Sequence, residues 1–138
     1  MTDYQSVIMN LDQSLLRDLG QLLAEAEIAL VKGPQTGLLM MVARDPFAAD
    51  FCLGEILITE AETEYQDQRG YAMVLGEEPE RAVLLAAVTA VGQSSNEALK
   101  KRIESFLAEP SARLSQWADW QRKLLTKTLV SFETMVKR

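Results

Sequence analysis

Two basic side chains in the N-terminal half of the chain have the charge and the spacing to hold a small anion. Lys32 ends one apolar run and Arg44 ends the next, and the turn-forming segment 33–37 separates the two runs. This pattern predicts an antiparallel hairpin, in which pairing around Gln35 would bring the two cations close together. Solvent-exposed charges at strand ends are the more common arrangement and need no ligand. Lys32 and Arg44 are therefore candidates for substrate binding, with simple surface exposure as the favoured alternative.

A second set of charged side chains lies on a predicted strand. Glu60, Glu62 and Glu64 alternate with other residues, so the three carboxylates share one face of that strand. Carboxylates bind hard cations, but metal sites usually draw their ligands from several elements. A solvated sheet face is the favoured interpretation, and we predict no metal site in the chain.

The composition excludes several classes of catalytic site. The 138 residues contain no histidine and a single cysteine, Cys52. Ser–His–Asp and Cys–His arrangements are therefore excluded, and so is an intramolecular disulfide. Cys52 lies in an apolar run, where a free thiol behaves as a small hydrophobic group. General acid–base chemistry near neutral pH would have to use carboxylates.

Charge and hydropathy also restrict the partners and the compartment. Fourteen Lys and Arg against twenty Asp and Glu give a formal net charge of −6, which disfavours binding to nucleic acid. The longest apolar run, residues 82–91 interrupted only by Thr89, is too short to cross a bilayer, and residues 1–10 do not resemble a signal peptide. We therefore expect a cytoplasmic protein that binds neither nucleic acid nor membrane.

Hydrophobic periodicity predicts a helix, then a block of strands, then helices. The first helix is expected to begin after Asn10 or Asp12 and to run to about Ala26. Gly54, inside a predicted strand, indicates a bulge or a close approach of another main chain. The strands are predicted at 28–32, 38–44, 51–59, 60–65 and 71–75.

The C-terminal half is predicted to be mostly helical. One helix is expected at 79–91, and a second begins at the cap residue Asn96 and is broken by Pro110. Trp117 and Trp120 share a face of the following helix, where core packing is favoured and a partner surface is the alternative. Alternation over 130–136 predicts a final strand, although the same residues also fit an extension of the last helix.

This order of elements indicates an α+β fold. We predict one domain, residues 1–138, with an antiparallel sheet on which the N-terminal helix and the C-terminal helices pack. The predicted final strand would return to that sheet.

Four short segments occur in an order and spacing typical of one protein family. They are a T-G-L…R segment at 36–44, an F-x-x-G-E-x-L-x-T segment at 51–59, a G-Y…G segment at 70–76 and a V-x-F-x-T-M-V segment at 130–136. Together they resemble the PhnG family of the bacterial phosphonate carbon–phosphorus lyase system. Thr89 departs from the family pattern, because some relatives carry an acidic residue there.

The resemblance implies a subunit of a multisubunit assembly with PhnH-, PhnI- and PhnJ-like partners, and a PhnL-like protein is also needed for the first step. In that step an alkylphosphonate displaces adenine from ATP, which gives ribose 1-alkylphosphonate 5-triphosphate. ATP would be a substrate of the assembly, and we expect no cofactor bound by this chain. Because the chain lacks histidine and a cysteine cluster, we expect an accessory or structural subunit of a hetero-oligomer.

Glu55 is the one candidate catalytic residue, because it follows Gly54 in a motif that resembles the family. If the chain touches substrate, Lys32 and Arg44 would meet phosphates, but a structural role for Glu55 is favoured. An obligate subunit should expose an apolar surface when isolated. The alternative function, a stand-alone small-ligand-binding or adaptor domain, should instead show a closed pocket.

Overall fold

The computed structural model describes residues 4–129, which form helices packed against an antiparallel sheet and so confirm the α+β prediction. Helix α3 lies on the sheet, and the other helices contact α3. The predicted strand at 130–136 lies outside the described residues. The elements are α1 (Tyr4–Met9), α2 (Gln13–Ala24), β1 (Ala29–Arg44), β2 (Asp50–Tyr65), β3 (Gln68–Leu75), α3 (Pro79–Gln93) and α4 (Glu97–Lys127).

Within the described residues the sheet has the order β1-β2-β3, three strands where five were predicted. The strands predicted at 51–59 and 60–65 are one continuous strand, β2. The expected hairpin around Gln35 is wrong, because β1 continues through this segment and pairs with β2 along its length. Register shifts before and after Lys32 accommodate the extra residues, including Pro34, as bulges. Because β1 is an edge strand, a proline without an N–H donor can be accommodated there without a turn.

Close packing of α3 on β3 depends on a glycine. A methyl group added at Gly70 would lie 2.0 Å from the carbonyl oxygen of Ala86 and 2.5 Å from the nitrogen of Ala90. The helix face at this contact is built from small buried residues, which lets the two main chains approach. These are Ala82, Ala86, Ala87 and Ala90.

The N-terminal helices are fixed by one cap and one arginine. Asp12 accepts a hydrogen bond from the nitrogen of Leu15 at 2.9 Å, which confirms it as the cap of α2. The guanidinium of Arg81 donates to the carbonyl oxygens of Ile8, at 2.5 Å, and Leu11, at 3.1 Å, and so binds the end of α1 to α3. Helix α1 was not predicted, because six residues are too few for a periodic pattern.

The predicted helix at 79–91 is confirmed, with α3 ending two residues later. Its first turn is capped by another element: the hydroxyl of Thr59 accepts from the nitrogen of Glu78 at 3.1 Å and donates to the carbonyl of Gly76 at 2.6 Å. The side chain of Glu78 makes no capping hydrogen bond. This contact ties the start of α3 to β2.

Helix α4 begins as predicted but does not end at the proline. Asn96 accepts from the nitrogen of Leu99 at 3.0 Å and so caps the helix. The predicted break at Pro110 is wrong, because α4 continues for 31 residues through it. Pro110 is buried, as are Ile103 and Leu107 four and three positions apart on the same face of α4, and this packing offsets the lost main-chain hydrogen bond. None of the described helices is long and apolar enough to cross a membrane.

Candidate partner-binding surface

The hairpin of β1 and β2 extends well beyond β3. Strand β3 pairs only with Ile58–Tyr65 of β2, so residues 38–57 form a two-stranded projection, called the arm below. Charged residues within the arm are confined to its tip and Glu55. Its large exposed apolar side chains are Leu38, Leu39, Met40, Met41, Val42, Phe47, Phe51, Leu53 and Leu57.

The arm is apolar on both faces. Successive strand residues point to opposite sides, and the exposed fractions of consecutive residues are 64% for Leu38, 43% for Leu39, 48% for Met40 and 41% for Met41. A hairpin with one face on a core and one face in water would alternate apolar with polar residues. This arm therefore has the residue pattern of a strand pair that is covered on both sides.

Gly54 shapes the arm by allowing a bulge. Met41 pairs with Gly54 and Val42 with Cys52, which leaves Leu53 as an extra residue on β2. Gly54 has φ +137°, a conformation that residues with side chains rarely adopt. Apart from the two neighbouring residues, no atom lies within 4 Å of a Cβ placed there. Of the two roles predicted for Gly54, the bulge is confirmed and the close approach of another main chain is not observed.

The structure separates the two predicted anion-binding residues. Lys32 and Arg44 lie on one continuous strand, on the order of 35–40 Å apart at about 3.3 Å per residue. Each already has a carboxylate partner: the ammonium of Lys32 contacts Glu60, and the guanidinium of Arg44 donates to both oxygens of Asp50, at 2.7 and 3.0 Å. The expectation that they lie near each other is wrong, and a substrate role for either stays a prediction.

Glu55 is exposed on the arm, where it pairs in register with Met40. It makes no hydrogen bond or ion pair with another described residue, unlike the other charged side chains of the arm. Arg44 and Asp50 bind each other, and the carboxylate of Asp45 accepts from the nitrogens of the tip turn. A catalytic role for Glu55 stays a prediction, and the fold leaves its carboxylate free for a partner's group.

The acidic residues of β2 form a paired ladder on the sheet face away from α3. Glu60 accepts from Lys32 and, at 2.8 Å, from the hydroxyl of Tyr71. The hydrogen bond from Lys32, and then that from Tyr71, hold the pKa of Glu60 below its ordinary value. The guanidinium of Arg69 donates to Glu62 and Glu64. The predicted sharing of one face is confirmed.

The second half of α4 is another exposed apolar surface. Trp117 and Trp120 have exposed fractions of 54% and 57%, so the favoured prediction of core packing is wrong for both. Leu124 and Leu125 follow on the same half of the helix and are also exposed. Sequence periodicity could not detect this, because an apolar stripe that faces a partner has the same spacing as one that faces the core.

The arm and the end of α4 project from the same end of the fold. Helix α4 starts near the turn between β2 and β3, where the amide of Asn96 donates to the hydroxyl of Tyr65 at 2.9 Å. It runs back along α1, and Trp117 lines a shallow groove with Leu11 at the junction of α1 and α2. That junction contacts the start of α3 through Arg81, and the start of α3 is bound to Thr59 of β2, two residues from the base of the arm. Residues 118–127 of α4 therefore extend beyond the other helices, at the end of the fold from which the arm also projects.

A groove of about 880 Å³ lies between α1, α3, α4 and β3. Its apolar floor includes Leu85 and Val88, and its polar groups include Tyr4 and Glu104, joined by a 2.8 Å hydrogen bond. Burial, followed by this hydrogen bond, raises the pKa of Tyr4. Because Tyr71 and other residues of its rim are exposed, it is an open groove and not the closed pocket expected of a stand-alone binding domain.

Comparison with known proteins identifies the family of the chain. The family profile described as "Phosphonate metabolism protein PhnG" matches residues 3–138. A protein of Rhizobium meliloti (strain 1021), named alpha-D-ribose 1-methylphosphonate 5-triphosphate synthase subunit PhnG, is 32% identical over 113 residues. The aligned region covers 80% of this chain and 71% of that protein. The chain therefore belongs to the PhnG family of phosphonate metabolism proteins.

Proposed function

We propose that this chain is a subunit of a synthase that transfers an alkylphosphonate, such as methylphosphonate, to C1′ of the ribose of ATP and releases adenine. Its proposed partners are PhnH-, PhnI-, PhnJ- and PhnL-like subunits of a cytoplasmic hetero-oligomer. The name of the Rhizobium meliloti relative supports this reaction. The observation that carries the proposal is the exposed apolar surface on the arm and on the second half of α4.

The proposed role is structural or accessory. Displacement of adenine at an anomeric carbon needs a proton donor for the leaving base and a positioned phosphonate oxygen as nucleophile. The chain has no histidine, and its acidic ladder is occupied by Lys32, Tyr71 and Arg69. A subunit that positions a partner requires only surfaces, and the arm and α4 supply them.

The alternative function is a stand-alone small-ligand-binding or adaptor domain. The groove between α1, α3, α4 and β3 is the observation in its favour, because its volume would accept a small organic molecule. It does not account for the apolar arm, which contributes nothing to that groove.

The test is adenine release from ATP and methylphosphonate, measured by chromatography, with the partner subunits in the presence and absence of this chain. We expect release coupled to formation of ribose 1-methylphosphonate 5-triphosphate only when the chain is present. If the partner subunits form the product at the same rate without it, the subunit function fails and the binding or adaptor function becomes the better account. The chain alone, tested in parallel, should release no adenine.

A further inference from the structure

We propose that the arm inserts into a cleft of another subunit, with apolar walls against both faces of the arm and a lysine or arginine opposite Glu55. This inference rests on the proposed function, since it takes the partner to be a subunit of the same assembly. It adds the shape and the charge of the site that receives this chain.

The area of the arm is sufficient for a stable interface. Its nine exposed large apolar side chains present on the order of 900 Å². The largest apolar patch of an ordinary monomer covers about 300–600 Å². A standard protein–protein interface buries about 800 Å² on each partner. The arm alone therefore meets the area requirement of a specific interface.

The distribution of apolar groups on the arm determines the shape of the partner site. Met40 and Val42 lie on one face together with Cys52, whereas Leu39 and Met41 lie on the other. A flat partner surface would cover one face and leave the other in water. Since both faces are apolar and exposed, a cleft that encloses the strand pair buries the whole surface.

Glu55 determines the charge of the partner site. It shares a face with Met40, so a cleft that covers that face also removes the carboxylate from water. A buried carboxylate without a counter-charge is strongly unfavourable. No described residue of this chain pairs with Glu55, so the proposal places the cation on the partner, where an arginine would provide two parallel hydrogen bonds.

The charges of the arm disfavour a second copy of this chain as the protein that covers it. The arm carries one basic residue, Arg44, and three acidic ones, Asp45, Asp50 and Glu55, which gives a net charge of −2. Its single cation is already bound to Asp50. Two arms packed face to face would bring like charges together and offer no free cation to either copy of Glu55.

The thiol chemistry of the chain provides a test of both faces. Cys52 is the only cysteine, is exposed, and reports on the Met40 face. A chain with Cys52→Ser and Met41→Cys reports on the opposite face. A chain with Cys52→Ser and Gln21→Cys is the control, because Gln21 is an exposed residue of α2. Each chain is alkylated with iodoacetamide alone and after assembly with the partner subunits, and the rate is followed by mass spectrometry.

We expect assembly to slow alkylation at both arm positions by about tenfold or more, because reaction then requires local opening, and to leave the α2 position unchanged. Protection of only one face would overturn the cleft. Protection of both faces in the isolated chain, together with a dimer by light scattering, would identify a second copy as the occupant and also overturn the proposal. If the unmodified chain does not assemble with the partner subunits at all, the proposed function fails together with this inference.

The cation is tested separately with Glu55→Gln, which keeps the size of the side chain and removes its charge. We expect the dissociation constant for the partner subunits to rise by about 30-fold or more, with no change in the thermal stability of the isolated chain. Equal or tighter binding of Glu55→Gln would show that no cation faces Glu55 and would overturn that part of the proposal, whatever the outcome of the alkylation test.

Discussion

The contact between β3 and α3 makes Gly70→Ala the most informative single substitution. The added methyl group would lie 2.0 Å from the carbonyl oxygen of Ala86 and 2.5 Å from the nitrogen of Ala90, whereas non-bonded atoms prefer about 3.5–4.0 Å. Both contacts are with main-chain atoms, so no side-chain rotation can relieve them. The helix must move away from the sheet by on the order of 1 Å, and such overpacking costs about 3 kcal/mol.

The expected loss is large against the total stability of a small domain, which is about 5–15 kcal/mol. Urea unfolding followed by circular dichroism at 222 nm gives the free energy of unfolding by linear extrapolation. Gly92→Ala is the control. It adds a methyl group to α3 where no atom lies within 4 Å apart from the neighbouring residues and the helix's own main chain, and it should stabilise the helix by up to about 1 kcal/mol. A Gly70→Ala chain whose free energy of unfolding lies within about 0.5 kcal/mol of the original would refute the close packing of α3 on β3.

Three further predictions concern separate parts of the fold. Arg81→Ala should lower the free energy of unfolding by about 1.5–3 kcal/mol, because two main-chain carbonyls lose a charged donor. Arg122→Ala, at an exposed position of α4, should change the free energy of unfolding by less than about 0.5 kcal/mol. Equal effects of the two substitutions would contradict the role of Arg81. Gly54→Ala should destabilise the arm by about 1–3 kcal/mol. We expect faster hydrogen exchange of the arm amides and unchanged exchange of the core amides. An equal change in the exchange rates of arm and core amides would contradict a local role. The pKa of Glu60, measured by NMR titration, should lie below its ordinary value of 4.5. The stability that the ionised carboxylate contributes is therefore complete above pH 4.5 and is lost as the pH falls through the lowered pKa. Lys32→Met should raise the pKa of Glu60, and an unchanged titration would rule out the ion pair.

Local signals in the sequence were sufficient for the elements that depend on short-range interactions. Asp12 and Asn96 cap their helices as predicted, because the cap hydrogen bond joins residues only three positions apart. The bulge at Gly54 was one of two predicted roles, and the sequence could indicate it because the backbone conformation is intrinsic to glycine. The single cysteine and the absence of histidine likewise restricted the chemistry before any fold was known.

Two predictions failed because tertiary packing outweighed a local preference. Gly33 and Pro34 favour a turn, yet β1 passes through them as a bulged edge strand that pairs with β2 on both sides of the segment. Pro110 favours a helix end, yet α4 continues through it, and Pro110 is buried on the same helix face as Ile103 and Leu107. In both cases contacts with residues distant in sequence offset the free-energy cost of placing proline inside a strand or a helix.

The candidate site shows the clearest division between sequence and structure. The sequence by itself determined the family, the α+β class with a block of strands between helices, and the absence of a histidine-based catalytic centre, because these depend on residue identity and spacing. Only the tertiary structure decided that the apolar residues at 38–42 and at Trp117 and Trp120 face outward. The spacing of apolar residues is the same whether they pack on their own core or on a partner. Their exposure follows from the tertiary structure, in which β3 pairs only with Ile58–Tyr65 and α4 extends past the other helices.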